Sequence, residues 1–269
     1  MLYVIGGRSG LAMGEGATNE LHAFDTTSRT WTRLSPQGSQ PPKRSYHAMT
    51  ALGPKLYVFG GCGEDGRLND LYEYDTRTNT WTALATPSPD AVPGRGGSCL
   101  AAVPPEAADG AAEGPAREGL LYVIGGFCGH ELDDMHVYSI ADNIWCRPTC
   151  PTCCGAANAA GELSARSVFG TSLHRCDKSD CSYKAAVLAY GGEVDPSDKG
   201  HAGAGDFCSS LMMYDKAGGW RLVEADGESP GPRGWFAAAT GPAGQLIVHG
   251  GLDANNERLG DMFALDLHA

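Results

Sequence analysis

Apolar positions in this chain come in short bursts, and five of the bursts close on a glycine pair. They read Leu2-Tyr-Val-Ile-Gly-Gly7, Leu56-Tyr-Val-Phe-Gly-Gly61, Leu121-Tyr-Val-Ile-Gly-Gly126, Val187-Leu-Ala-Tyr-Gly-Gly192 and Leu246-Ile-Val-His-Gly-Gly251. Four are followed by a second apolar burst ending at Phe24-Asp25, Tyr74-Asp75, Tyr138-Ser139 and Tyr214-Asp215, and then by Trp31, Trp81, Trp145 and Trp220. The spacing from the Asp or Ser to the Trp is six residues in three units and five in the fourth. Short runs rich in β-branched and aromatic residues, bounded by Gly, Pro, Asn and Asp, are strand signals. The second unit is predicted to hold four strands, at 45–51, 55–59, 70–74 and 80–84.

A repeat built only from strands predicts an all-β fold, a β-propeller with one blade per unit. The pattern resembles kelch repeats along nearly the whole chain. Each Gly pair is expected to end the second strand in a sharp turn and to leave room for a neighbouring backbone. Each Trp is expected to pack between adjacent blades. The first unit opens on a second strand and the last stops before its Trp-bearing strand. Because an open blade edge invites further pairing, the chain is read as one kelch propeller domain, 1–269, that lacks about one N-terminal blade. Residues 104–117, rich in Ala, Glu, Gly and Pro, read as a disordered insertion in a hairpin.

Composition narrows the function classes. The 38 glycines alongside 42% hydrophobic residues fit a turn-rich β protein. A net charge of −12 argues against a nucleic-acid-binding surface. No apolar run approaches the roughly 18 residues of a membrane span, and no signal-peptide pattern opens the chain. The expectation is a cytoplasmic protein with neither nucleic acid nor membrane as partner. Six of the ten cysteines cluster, as Cys146, Cys150, Cys153, Cys154, Cys176 and Cys181. Cys150 and Cys153 have zinc-ligand spacing. However, propeller topology puts Cys150–Cys154 and the Cys176–Cys181 pair on opposite faces, so reduced thiols are expected, with a local Cys176–Cys181 bridge under oxidation.

The same topology singles out one face, which carries the connections from fourth strand to first and from second to third. Each inner strand there starts on an arginine: Arg44, Arg95, Arg166 and Arg233. Four guanidiniums at one channel mouth would make an anion site, because the fork of donors suits sulfate, phosphate or carboxylate. Two long loops open onto this face, Phe127 to Asp134 and Glu193 to His201. In the second, Glu193, Asp195, Asp198 and His201 form a hard-ligand cluster suited to a divalent metal such as Fe(II).

At these loops the chain resembles the plant nitrile-specifier, epithiospecifier and thiocyanate-forming kelch proteins. The likeness is carried by Arg95-Gly-Gly, Gly126-Phe127 leading to Asp133-Asp134, Ala165-Arg-Ser-Val-Phe169, Gly192-Glu-Val through Gly200-His201, Arg233-Gly-Trp235, and His249-Gly-Gly251 through Asn256-Glu-Arg258. The resemblance implies a six-bladed propeller that redirects the breakdown of sulfated glucosinolate aglycones to nitriles, with Fe(II) as cofactor and a lyase-like activity. It assigns Arg44, Arg95, Arg166 and Arg233 to the anionic group and Glu193, Asp198 and His201 to the metal. The family's iron loop reads Glu-x-x-x-Asp-x-x-x-His. Glu193 and His201 fit its ends, but Ser197 stands at its middle position. The alternative is a kelch interaction module that uses the same mouth to bind an acidic peptide of a partner, with a homodimer left open.

Overall fold

The structure, a computed structural model, describes residues 1–10, 15–105, 119–146, 162–176, 183–196, 205–242 and 244–267. Most of the 104–117 insertion, Cys150, Cys153, Cys154, Cys181, Ser197, Asp198 and His201 lie outside the described residues. Every regular element among the described residues is a β-strand, apart from turns. No helix there is long and apolar enough to cross a membrane. The strands fall into five kelch β-propeller blades, held in two compact units, Met1–Gly97 and Ser98–Ala269.

The first unit has two blades. Strands β1 (Leu2–Ile5), β2 (Leu21–Asp25) and β3 (Thr30–Arg33) form a three-stranded antiparallel sheet. The second sheet runs β5 (Ala48–Leu52), β6 (Lys55–Cys62), β7 (Arg67–Asp75) and β8 (Thr80–Ala83), with the short β4 (Gln37–Gly38) added in parallel to β8. The second unit has three. One is β9 (Cys99–Val103), β10 (Leu120–Phe127), β11 (Glu131–Ser139) and β12 (Ile144–Cys146). The next is β13 (Gly170–Arg175), β14 (Ala185–Tyr190), β17 (Leu211–Asp215) and β18 (Gly219–Leu222), carrying a side ribbon of β15 (Glu193–Asp195) and β16 (Asp206–Phe207). The last is β19 (Ala237–Thr240), β20 (Leu246–Leu252) and β21 (Arg258–Leu265).

The glycine pairs end the second strand in two blades, where β1 stops at Ile5 and β14 at Tyr190, and do something else in the others. In three blades the second strand continues through the pair, and the register shifts between Phe59 and Gly61, between Ile124 and Gly126, and between His249 and Gly251. In those three blades the pair is a β-bulge, which re-aims the strand without ending it. In four blades the second glycine of the pair donates its N–H to the carbonyl of the next blade's arginine: Gly7 to Arg44 (2.8 Å), Gly61 to Arg95 (2.8 Å), Gly126 to Arg166 (2.8 Å) and Gly192 to Arg233 (2.9 Å). All eight of these glycines have positive φ. A Cβ on Gly6, Gly60, Gly125 or Gly191 would stand 2.8–2.9 Å from that same arginine carbonyl. The glycine is required by the approach of a neighbouring backbone as much as by its own dihedrals.

Burial follows the alternation of the strands. In the first unit Ile5, Leu21, Leu56, Val58, Tyr74 and Trp81 pack into one core between its two blades. In the second unit one core unites Tyr122, Val187, Tyr214 and Trp220, and another unites Leu188, Leu211, Leu246 and Val248. Trp81 and Trp220 thus pack between blades, each tilted on the tyrosine of the preceding strand at 5.0 and 5.4 Å. Trp31 departs from that expectation. It lies on the outermost strand of its sheet, 55% exposed, with Phe24 as a ring neighbour at 4.9 Å.

His47 fills the space beside the first two glycine pairs, so that Cβ atoms on Gly6 and Gly61 would meet it at 2.9 and 2.8 Å. Phe169 and Phe236 do the same in later blades. Burial, then the nearby Arg44 charge, push His47 down to about 4, against a hydrogen bond with the Ile5 backbone. The folded chain keeps this ring neutral while the unfolded chain protonates it below about 6.5. Stability is therefore full above that pH and is lost as pH falls towards 4, by at most about 1.4 kcal/mol per pH unit. Urea midpoints at pH 7 and 5 are expected to separate less in His47→Phe than in the parent; an equal separation would remove His47 as the cause.

Gly61→Ala places a Cβ 2.5 Å from the Ser45 carbonyl at φ +97. It is expected to cost about 2–4 kcal/mol. Gly53→Ala, at φ +56 with open space around it, is expected to cost only the dihedral strain of about 1–2 kcal/mol. Equal losses in urea denaturation would contradict the close-approach account.

Candidate functional site

The four arginines are placed by the fourth-to-first connections, beside the second-to-third loop of the preceding blade. Arg44 N donates to Thr18 O (3.1 Å), Arg95 N to Leu68 O (3.0 Å) and Arg166 N to Leu132 O (3.0 Å). Two residues on, the chain takes a left-handed turn at Tyr46, Gly97, Val168 and Trp235. The residue between pairs antiparallel with the one after the glycine doublet of its own blade: Ser45 with Cys62, Ser167 with Glu193, and Gly234 with Leu252. Both kinds of connection thus meet on one face of each blade, as the topology predicted.

The side chains are not presented as an open ring. Arg44, Arg95, Arg166 and Arg233 are 0%, 0%, 1% and 2% exposed. Each Nε donates 3.1 Å back to the carbonyl two residues earlier, of Pro42, Pro93, Ser164 and Gly231 respectively. Arg44 Nη1 also reaches Gly60 O (2.9 Å), and both of its Nη atoms grip Asp70 at 2.7 and 2.8 Å. Arg233 repeats this with Gly250 O (3.0 Å) and Asp261 (2.5 and 2.9 Å). Those hydrogen bonds hold the Asp261 carboxyl below the usual range. A buried guanidinium requires this degree of pairing, since leaving water costs several kcal/mol per ion. For Arg44 and Arg233, the donors that an external anion would need are taken by their own blade.

Asp70 and Asp261 were not among the expected site residues, although the sequence carries their signal. In four units an acid stands directly before the apolar residue that opens the Tyr- or Phe-ended run, as Glu20 before Leu21, Asp70 before Leu71, Asp134 before Met135 and Asp261 before Met262. The fourth unit breaks the pattern with Ser210. There Arg166 Nη1 binds Gly191 O (3.0 Å), and Nη2 donates to the hydroxyls of Ser164 (2.5 Å) and Ser210 (3.0 Å).

Of the expected metal ligands only Glu193 is described. It opens the β15–β16 ribbon, pairs with Phe207, and is 7% exposed. A Cβ on Gly205 would lie 2.4 Å from its Oε1, so the chain closes tightly over this carboxylate. Glu131, on the neighbouring blade, is 8% exposed and accepts a hydrogen bond from Ser167 Oγ (3.3 Å). Burial pushes the Glu131 carboxyl up, and the Asp195 charge adds to that rise. Phe207 and Trp235 form an edge-to-face pair beside the ribbon at 5.9 Å. Among the described residues no three His, Cys, Asp or Glu side chains are placed to hold a metal ion. The arrangement gathers negative charge in a partly dry environment at the base of the 193–201 loop, a setting that favours a cation.

Cys176 is disulfide-bonded, while Cys62, Cys99, Cys128, Cys146 and Cys208 are free thiols.

Comparison with known proteins agrees with the blade geometry. Over 97% of its length the chain is 26% identical to N-(sulfonatooxy)prop-2-enimidothioate sulfolyase of Thlaspi arvense, covering 73% of that protein. Over 60 residues it is 38% identical to Kelch domain-containing protein 3 of Bos taurus, which is 22% of this chain and 15% of the relative. Over 60 residues, 22% of the chain, it is 40% identical to serine/threonine-protein phosphatase BSL2 of Arabidopsis thaliana, covering 6% of that protein. Residues 1–168, more than half of the chain, match the KLHDC2/KLHL20/DRC7 Kelch-repeats domain. With its bulged glycine pairs and blade-clamping arginines, the chain belongs to the kelch-repeat family.

Proposed function

We infer that this kelch protein is of the nitrile-specifier type, acting on a sulfated small molecule with Fe(II) held by Glu193, Asp198 and His201. The observation that carries this is the match with a sulfolyase along 97% of the chain. The donor set is consistent with it. Glu193 is a buried carboxylate at the base of the loop, and the Glu131 carboxyl is raised in part by the Asp195 charge. A divalent cation would relieve that repulsion. When bound, Fe(II) supplies a Lewis acid able to engage a substrate sulfur and to polarise the bond to departing sulfate. Glu193 contributes a ligand fixed by strand pairing, and the Phe207–Trp235 pair gives an apolar wall beside it. In this reading Arg44 and Arg233 hold the blades and leave sulfate to other donors.

Ser197 at the middle loop position favours a second reading, a kelch interaction module without metal whose partner contributes an acidic peptide.

Ser197→Asp restores a third carboxylate at the family's spacing. Anaerobic Fe(II) titration is expected to show binding in the parent, tightened about tenfold or more in Ser197→Asp and lost in His201→Ala, the scale on which ligand changes act. In glucosinolate–myrosinase mixtures Ser197→Asp is expected to raise nitrile at the expense of isothiocyanate. No Fe(II) binding in the parent, with Ser197→Asp binding no better, would leave the interaction module as the better reading.

A further inference from the structure

In four blades the third strand pairs with an outer strand that carries a tryptophan. Phe24 stands opposite Trp31, Tyr74 opposite Trp81, Tyr138 opposite Trp145 and Tyr214 opposite Trp220. Among the described residues the fifth sheet has β21 as its outer strand. Leu265 holds the place of Tyr74 in it, since Leu265 pairs with Leu246 as Tyr74 pairs with Leu56. An outer edge of this kind offers backbone N–H and C=O groups to an approaching strand.

Beside that edge lies a cavity of about 240 Å³, between the fifth blade and the fourth. Its lining repeats the surroundings of Trp81. That indole packs with Ile5 and Leu21 of the preceding blade and with Leu56, Val58 and Tyr74 of its own. Counted from the glycine doublets and the strand registers, the equivalent residues are Tyr190, Leu211, Leu246, Val248 and Leu265. All five line the cavity. Phe263, also in the lining, repeats Tyr72: Arg233 lies over its ring at 5.5 Å, as Arg44 lies over Tyr72 at 5.3 Å. The cavity therefore has the walls of a tryptophan site. Asp226 and Glu228, both exposed, add negative charge to it.

We propose that β21 and this cavity form a docking site for an extended segment of a partner protein, one that carries a tryptophan followed two residues later by Arg or Lys. The segment adds antiparallel to β21, as β8 adds to β7, and sets its indole opposite Leu265. Backbone hydrogen bonds along β21 hold the segment, and the indole in its apolar walls selects it. Residues two apart on a strand share a face. A cation at that spacing thus stands on the cavity side, where Asp226 and Glu228 complement it. Strand β3 of this chain shows the same spacing, with Trp31 and Arg33. The site is independent of whether the 193–201 loop binds a metal.

The probe is a dye-labelled peptide of residues 28–34, Ser-Arg-Thr-Trp-Thr-Arg-Leu, titrated with the full chain and followed by fluorescence anisotropy. Saturable binding is expected. Trp31→Ala in the peptide is expected to weaken it about tenfold or more, as loss of a buried aromatic anchor does, and Arg33→Glu to weaken it less. In the protein, Leu265→Arg fills the cavity and is expected to abolish binding. Met262→Arg, at a side chain 67% exposed on the other face of β21, is expected to leave it unchanged. The alanine peptide alters nothing in the protein, so it decides the matter even where Leu265→Arg unfolds. No saturable binding, or equal binding of the tryptophan and alanine peptides, would overturn the proposal. Self-association of the parent that Trp31→Ala removes would also overturn it, since the occupant would then be a second copy.

Discussion

The join between the first two blades depends on an arginine, Arg44, that bonds in two directions. Its backbone belongs to the preceding blade: Arg44 N donates to Thr18 O, and Arg44 O accepts from Gly7 N. Its side chain belongs to its own blade, through Gly60 O and Asp70. One residue therefore stitches two sheets together, and the glycine pair is the other half of the stitch. The Gly7 and Gly61 N–H groups reach the arginine carbonyl, and the missing Cβ on Gly6 and Gly60 lets that carbonyl come close. Loss of the glycine removes the approach, whereas loss of the guanidinium strands a carbonyl and a carboxylate.

This constraint accounts for what was and was not legible in the sequence. Strand order, the glycine pairs and the Tyr–Trp spacing all repeat, so the blade architecture could be read from them. The glycine pairs end the strand as expected after Ile5 and Tyr190 but form a bulge in the other three blades, and a bulge and a turn make the same demand on φ. Only the register shift at Gly61 and its equivalents separates the two. The arginines recur at equivalent positions in four blades, and their side chains are buried where donors open to an anion are expected. Counting guanidiniums without counting the acids nearby, Asp70 and Asp261, leaves apparent free charge where there is a closed pair. Trp31 has the same spacing as Trp81, yet it packs differently because its sheet offers no further neighbour among the described residues.

What varies between blades is more informative than what repeats. Glu193 occupies the ladder position of Cys62 and Leu252, so a carboxylate there is a departure from an apolar norm, buried at some cost. Ser210 stands where the other units carry an acid, and it accepts a hydrogen bond from Arg166 instead. Both departures fall in the fourth blade, next to the 193–201 loop. Polar exceptions at positions the fold can fill with inert residues are where chemistry beyond structure is to be sought.

The central claim is that these guanidiniums are consumed inside their own blades. The most direct measurement is a double-mutant cycle on Arg44→Met and Asp70→Asn, read by urea denaturation. The account predicts a coupling of about 1.5–3 kcal/mol, the scale of hydrogen bonds to charged groups in a buried bidentate pair. Losses that add to within about 0.5 kcal/mol would contradict it and return Arg44 to the pool of groups free to bind an anion.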